Sequence, residues 1–71
     1  MESLGKALRY QRIINKYSQS QLSDLLNIRQ SAISKWERGE SEPSLNSLIA
    51  LADLYDASLD ELVGRDYYGR L

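Results

Sequence analysis

The sequence predicts an all-α fold, a compact bundle of five short helices, from three observations. Apolar residues recur at helical spacing, with none of the alternation typical of strands. Residues that cap or stop helices interrupt this pattern at short intervals. A chain of 71 residues without cysteine has room for one domain, whose stability must come from packing. We expect residues 1–64 to form that domain and residues 65–71 to form a tail that either dimerises or is disordered.

The first two helices are predicted from their apolar stripes and from one capping motif. The first spans residues 3–15, and its buried stripe combines Leu4 and Leu8 with Ile13 or Ile14. The second begins after Ser18, an N-cap whose capping box is completed by Gln21, and its buried side is expected to consist of Leu22, Leu25 and Leu26. Asn27 tolerates the left-handed conformation and therefore suits the end of this helix.

The remaining three helices follow the same logic. The third occupies residues 30–38 and stops at Gly39. Pro43 and Ser44 open the fourth helix, and Ser58 with Glu61 forms a second capping box that opens the fifth, which ends near Gly64. The apolar stripe predicted for the fourth helix consists of Leu45, Leu48, Ile49, Ala52 and Tyr55.

The third helix has two chemically different halves. At about 100° per residue, Ile33 and Trp36 share one half, so both are predicted as core. The other half carries hydrogen-bonding side chains and no acid: Gln30, Ser31, Ser34, Lys35 and Arg38. A solvated face usually mixes both signs of charge, whereas a face that contacts a polyanion cannot carry carboxylates. Amides and hydroxyls also suit the edges of DNA bases.

Two helices joined by a short turn, the second with such a face, predict a helix-turn-helix. In that geometry the second helix enters the major groove of double-stranded DNA. The N-terminus of the first helix, where Ser18 and Gln19 stand, directs backbone amides at a phosphate.

The composition disfavours catalysis, metal binding and membrane insertion. The chain has no cysteine and no histidine, hence no thiol nucleophile, no imidazole base and no ordinary zinc site. No apolar stretch is long enough to span a bilayer. We therefore expect a cytoplasmic protein that is not an enzyme and uses no cofactor, metal or small-molecule ligand.

The formal charge is unevenly distributed along the chain. Residues 1–38 carry a net charge of +4 and residues 39–71 a net charge of −5, which together give the overall −1. Chance segregation on a solvated surface would explain this. The alternative, which the third helix favours, is a basic face for a polyanion and an acidic end kept away from it.

The sequence resembles the Cro and phage-repressor type of helix-turn-helix domain, often called Xre-like, over about residues 4–63. Four pieces carry the resemblance at the family's spacing: Ser18-Gln19, Ile33-Ser34-Lys35-Trp36-Glu37-Arg38-Gly39, Pro43-Ser44-Leu45 and Ser58-Leu59-Asp60-Glu61-Leu62. The resemblance implies a lambda-repressor-like bundle of five helices whose third helix is the recognition helix. It implies DNA binding by residues 1–64 and transcriptional regulation, with repression the expected mode.

Carried over by position, the resemblance implies roles for individual residues. The expected base-contacting residues are Gln30, Ser31, Ser34 and Lys35, although a purely solvated role is an equal alternative for the two serines. The expected phosphate-contacting residues are Ser18, Gln19, Arg29 and Arg38. Arg12 and Glu37 match a buried ion pair that ties the first helix to the third, which would explain an acid on the inner half of the recognition helix.

The sequence departs from the family pattern at several positions. Arg29 replaces the usual serine or threonine N-cap, although an arginine there can reach a phosphate. Lys16 and Asn27 stand where glycine is frequent. Glu40 and Glu42 follow the recognition helix, where basic or neutral residues are common, and would weaken DNA binding unless their loop points away.

Two functions from different classes remain open on the sequence. The first is a transcriptional regulator that binds a palindromic operator as a homodimer, because one recognition helix reads few base pairs and two copies need half-sites about 34 Å apart. The second is a protein-interaction module, antitoxin-like or bound to another regulator, which the acidic C-terminal half and the two loop glutamates support. The fifth helix and Tyr67-Tyr68 are the candidate dimer surface.

Overall fold

A computed structural model describes residues 4–64. Within that range the regular secondary structure is α-helix, without strands. The predicted five-helix bundle is thereby confirmed. The tail predicted over residues 65–71 lies outside the described residues. None of the helices between residues 4 and 64 combines the length and the apolar character needed to cross a bilayer. The helices are α1 (Leu4–Ile14), α2 (Gln19–Leu26), α3 (Gln30–Arg38), α4 (Leu45–Tyr55) and α5 (Leu59–Val63).

Serine side chains cap the N-termini of three helices, as predicted. The Ser18 hydroxyl accepts a hydrogen bond from the backbone N–H of Gln21 at 3.0 Å, and the Gln21 side chain accepts from the backbone N–H of Ser18 at 2.8 Å. Ser58 and Glu61 form the same reciprocal pair at the start of α5. Ser44 caps α4 by accepting from the backbone of Ser47. These caps satisfy N–H groups that have no partner within their own helix.

Residues in the left-handed backbone conformation end the helices and turn the chain. Asn27 has φ 55° after α2 and Gly39 has φ 78° after α3, so both predicted stops are confirmed. Gly64, at φ 76°, ends α5 as predicted. Lys16 (φ 66°) and Asp56 (φ 52°) adopt the same conformation without being glycine. Lys16 and Asp56 have a Cβ that makes this region costly, so both turns are strained.

The core lies where all five helices meet. Leu62 is 0% exposed and Ile33 is 1% exposed, which places α5 and α3 at its centre. Helix α3 packs against α1 and α2, and α5 packs against α1 and α4. The buried apolar residues are Leu4, Leu8, Leu22, Ile33, Trp36, Leu51, Ala52, Tyr55 and Leu62. The prediction that Trp36 belongs to the core is confirmed.

Several apolar residues expected on buried stripes are exposed, so those predictions were wrong. In α4, Leu45 is 64% exposed and Ile49 is 43% exposed, because the core stripe runs through Leu48, Leu51, Ala52 and Tyr55 instead. Leu25 of α2 is also exposed, at 57%. Helices this short contact their neighbours along a narrow stripe, and an apolar residue one position away from it remains in water.

The end of α1 departs from prediction for a different reason. Ile13 and Ile14 are 46% and 50% exposed. The buried stripe that begins at Leu4 and Leu8 continues, four residues further on, at Arg12 rather than at an isoleucine. A charged residue therefore takes the inward position in the last turn of α1, and it requires a partner there.

Gly5 brings α1 very close to the end of α3. A Cβ built at this glycine would lie 2.6 Å from the carbonyl oxygen of Trp36 and 2.7 Å from that of Glu37. Both are backbone atoms of α3, which cannot rotate away as a flexible side chain can. Gly5 is thus needed for the close approach of the two helices, and nothing in its sequence surroundings indicated this role.

We predict that Gly5→Ala destabilises the domain, although alanine normally stabilises a helix interior by about 1 kcal/mol relative to glycine. The added methyl group must push α1 away from α3, at a cost of about 1 to 3 kcal/mol. For a domain of this size each kcal/mol lowers Tm by roughly 4 to 8 °C. Thermal unfolding followed by circular dichroism measures this, with the exposed neighbour substitution Lys6→Ala as control. A Tm equal to or above that of the unsubstituted protein contradicts the prediction.

Tyr55 is a buried aromatic residue whose hydroxyl makes no hydrogen bond within the described residues. Its ring packs against Tyr17, with 6.0 Å between ring centroids. Burial raises the pKa of Tyr55 from 10.0 to about 12. Below pH 10 both the folded and the unfolded chain hold this proton. Between pH 10 and about 12 the unfolded chain loses it first, so the stability that depends on it decreases as pH rises through this window.

We predict that Tyr55→Phe reduces the alkaline loss of stability. The variant removes the buried group that titrates between pH 10 and about 12, and it removes a hydroxyl that lacks a partner among the described residues. Its free energy of unfolding at pH 7 should therefore be equal to or higher than that of the parent. Urea unfolding at pH 7, 10 and 11 tests this, with Tyr10→Phe on the exposed side of α1 as control. An equal alkaline decline in both variants contradicts the prediction.

Candidate nucleic-acid interface

A three-residue turn, residues 27–29, joins α2 to α3 and is held by Ser23. The Ser23 hydroxyl donates to the backbone carbonyl of Ile28 at 2.5 Å, and its own carbonyl accepts from the backbone N–H groups of Asn27 and Ile28. One serine thus fixes the path of the chain between the two helices. Sequence reasoning missed Ser23, because a serine inside a helix usually faces solvent.

The two halves predicted for α3 are present in the structure. Ile33 and Trp36 face the core, while Gln30, Ser31 and Lys35 are exposed and Ser34 is half-buried. Neither Asp nor Glu stands on the outer half, which consists of Gln30, Ser31, Ser34, Lys35 and Arg38. We call these five residues the outer face of α3. Their donors and acceptors are presented to solvent on a helix whose other side is anchored in the core.

Arg12 and Glu37 form a part-buried ion pair with two directed hydrogen bonds between α1 and α3. The Arg12 Nε atom lies 2.7 Å from Glu37 Oε2, and Arg12 Nη2 donates to Glu37 Oε1 at 3.0 Å. Arg12 Nη1 donates to the carbonyl oxygen of Tyr17 at 2.8 Å. The side chains are 12% and 5% exposed. The hydrogen bonds to Glu37 raise the pKa of Arg12, so the guanidinium remains charged.

Gln19 connects the start of α2 to the same carboxylate. Its Nε2 atom donates to Glu37 Oε1 at 3.0 Å. This contact places the first turn of α2 beside the last turn of α3. A side-chain amide has two N–H donors, and this bond uses one. The Ser18 hydroxyl accepts the capping bond and keeps its own hydrogen for another acceptor. The two predicted phosphate-contacting residues therefore have structural partners and also retain donor capacity.

Arg29 occupies the N-cap position of α3 and makes no side-chain capping bond. Its side chain is exposed and lines an open depression together with Asp24 and Asn27. The expected consequence of an arginine at this position, a helix start without a hydroxyl cap, is what the structure shows. The residue lies at the junction of the turn and α3.

Arg38 is held by two neighbours on the protein surface. Its Nε atom lies 2.5 Å from Glu40 Oε2 and its Nη2 atom 3.4 Å from Glu40 Oε1, while its Nη1 donates to the Ser34 hydroxyl. The hydrogen bond from Arg38 lowers the pKa of the Glu40 carboxyl, which Lys35 lowers further. Glu40 is therefore an anion directly beside a predicted phosphate-contacting residue. The sequence pointed to Glu40 as unfavourable but did not reveal this pairing.

Residues 4–64 contain no cluster of three or more His, Cys, Asp or Glu side chains placed to hold a metal ion. The surface formed by α2, the turn and α3 carries side-chain amides, hydroxyls and cations, together with one exposed acid, Asp24. Such a surface can bind an anion with exposed hydrogen-bonding edges.

Comparison with known proteins agrees with this geometry. A family model described as helix-turn-helix matches residues 8–62. Over 64 residues the chain is 38% identical to the HTH-type transcriptional regulator ImmR of Bacillus subtilis, covering 90% of this chain and 50% of that protein. It is 38% identical over 56 residues to the regulator DicA of Escherichia coli, covering 79% and 42% of the two chains.

Phage proteins are among the relatives. The transcriptional repressor RstR of the cryptic phage CTXphi in Vibrio cholerae is 40% identical over 52 residues, which cover 73% of this chain and 46% of that repressor. The chain thus spans half or less of the length of these curated relatives. The residues matched by the family model, 8–62, include α2, the turn and α3.

We predict that Arg12→Met and Glu37→Leu each lower the free energy of unfolding by about 3 kcal/mol, because each leaves a largely buried charge without its partner. The double variant Arg12→Met/Glu37→Leu should lose much less than the sum of the two single losses, since it buries no charge. Urea unfolding of all variants measures this, with Arg9→Ala on the exposed side of α1 as control. Losses of the single variants that add up in the double variant would show that the two residues act independently.

Proposed function

The chain belongs to the helix-turn-helix family, in its Cro and phage-repressor type, and on that premise we propose that it is a sequence-specific DNA-binding transcriptional regulator that acts as a repressor. The observation that carries the proposal is the outer face of α3, which has no acid and is anchored by Ile33 and Trp36 in the core. The proposed activity is binding; it involves no catalytic step and no cofactor.

Base reading is assigned to the outer face of α3 in the major groove of double-stranded DNA. Gln30 stands at the first position of this helix, and its amide can donate and accept at once, as a bidentate contact with adenine requires. Ser31, Ser34 and Lys35 follow on the same face. Lysine suits the acceptor atoms of guanine, and a serine hydroxyl adapts to either base.

Phosphate contacts are assigned to both ends of the helix pair. Ser18 and Gln19 retain donors at the start of α2, where the helix dipole also favours an anion. Arg29 has an exposed guanidinium at the junction of the turn with α3. Arg38 lies at the far end of α3. Contacts of this kind fix the position of the protein on the duplex without selecting its sequence.

The proposed active form is a homodimer on an inverted repeat. One recognition helix contacts few base pairs, and two copies related by a two-fold axis read half-sites about one helical turn apart. Helix α5 and the residues after Gly64 are the proposed dimer surface. Several relatives carry the words transcriptional regulator or repressor in their names, which supports this function for the family.

Selection of bound duplexes from a randomised DNA pool, at two salt concentrations, tests the proposal. Enrichment of an inverted repeat with half-sites one turn apart supports a dimeric sequence reader. Binding without enrichment contradicts base reading by α3. Absence of binding even at low salt supports the alternative, a protein-interaction module, for which the exposed acids Glu40 and Glu42 provide a reason.

We predict that Gln30→Ala and Arg38→Ala have different effects on DNA binding. Gln30→Ala should cost about 1 to 3 kcal/mol on the selected duplex and relax the preference at one base position. Arg38→Ala should weaken binding to all duplexes alike and reduce the slope of log K against log salt by about 0.9. Titrations of selected and scrambled duplexes measure both, with Asn46→Ala on α4 as control. Equal losses from Gln30→Ala on every duplex would remove Gln30 from base reading.

A further inference from the structure

The end of α3 folds back so that Glu40 faces Arg38. Gly39, at φ 78°, donates its N–H to the carbonyl of Trp36 at 3.1 Å, and the Glu40 N–H donates to the carbonyl of Lys35 at 2.9 Å. These paired bonds form a Schellman motif, which fixes the two residues after a helix. The backbone of Glu40 is therefore held against the last turn of α3.

The two oxygens of the Glu40 carboxylate face two nitrogens of the Arg38 guanidinium. One carboxylate oxygen lies 2.5 Å from Arg38 Nε, and the other lies 3.4 Å from Nη2. A DNA phosphate offers the same pair of anionic oxygens to an arginine. A phosphate that uses the Nε–Nη2 edge of Arg38 must displace Glu40, and the two N–H groups left over, one on Nη1 and one on Nη2, lie beside the same carboxylate charge.

We propose that, in the DNA-free protein, the Glu40 carboxylate binds the N–H donors of Arg38 that would otherwise bind a DNA phosphate. Glu40 thereby lowers the affinity of the domain for every DNA sequence. The proposal rests on the proposed function, since it assumes that Arg38 contacts a phosphate. In the complex the phosphate replaces Glu40 on Arg38. Glu40 then competes with every duplex alike and leaves the discrimination between sequences unchanged.

The exposure of the pair makes this exchange feasible. Both side chains are 53% exposed, so water screens their attraction and DNA can displace the carboxylate. Exposed pairs of this kind are worth up to about a fivefold change in an equilibrium. The effect of Glu40 on DNA affinity should thus be a moderate one, distinct from the loss of a residue on which folding depends.

The test compares Glu40→Gln with the unsubstituted chain on a duplex selected from the randomised pool and on a scrambled duplex of the same length. We expect Glu40→Gln to bind both about threefold to fivefold more tightly, with the ratio between the duplexes unchanged. Asp53→Asn, an exposed acid on α4, makes the same change in net charge and serves as control.

A double-variant cycle separates competition for Arg38 from general repulsion of DNA. In an Arg38→Gln background, Glu40→Gln should give no further gain in affinity. A gain of equal size in that background, or an equal gain from Asp53→Asn, overturns the inference, because it shows repulsion by net charge. If the unsubstituted chain binds DNA and Glu40→Gln binds with the same affinity, the inference is overturned and the proposed function stands. Absence of binding by the unsubstituted chain on every duplex and at every salt concentration overturns the proposed function itself.

Discussion

The Arg12–Glu37 ion pair is the interaction on which the position of α3, the proposed recognition helix, depends. Two charges removed from water are tolerated here because the groups are paired and also bonded further: Arg12 to the Tyr17 carbonyl, and Glu37 to Gln19. The network joins α1, the turn after it, the start of α2 and the end of α3. A hydrophobic contact would hold these elements together, but it would not fix their rotation as directed hydrogen bonds do. The rotation of α3 decides which side chains form its outer face.

The remaining packing is consistent with this constraint. Because Arg12 takes the inward position in the last turn of α1, Ile13 and Ile14 are left in solvent. For Arg12 to reach Glu37, α1 must lie close to α3, and at Gly5 only the absence of a side chain makes that distance possible. An ion pair and a glycine two turns apart on α1 thus serve the same interface, one by attraction and one by lack of bulk.

Local signals were predictable from the sequence, and relations between helices were not, apart from the Arg12–Glu37 pair that the family resemblance implied. Ser18, Asn27 and Gly39 act on their own few residues of backbone, so their roles as caps and stops could be inferred from residue type and spacing. The wrong predictions for Leu25, Leu45 and Ile49 have one cause. Helical spacing identifies an apolar stripe but does not say which of two overlapping stripes a neighbouring helix will cover. The roles of Gly5 and Ser23, and the pairing of Arg38 with Glu40, depend on atoms of other segments and could not be read from composition or period.

Several side chains of the helix pair both hold the fold together and serve the proposed DNA contacts. Gln19 gives one amide hydrogen to Glu37, Ser18 gives its lone pair to a backbone N–H, and Arg38 gives its fork to Glu40. In the proposed complex, Gln19 and Ser18 add a phosphate to bonds that they keep, whereas Arg38 exchanges the Glu40 carboxylate for a phosphate. The strength of the proposed Gln19 and Ser18 contacts depends on how DNA docks. The strength of the proposed Arg38 contact depends also on the Glu40 carboxylate. On this proposal, a change at Glu40 alters affinity for DNA and leaves the proposed base-reading face of α3 unchanged.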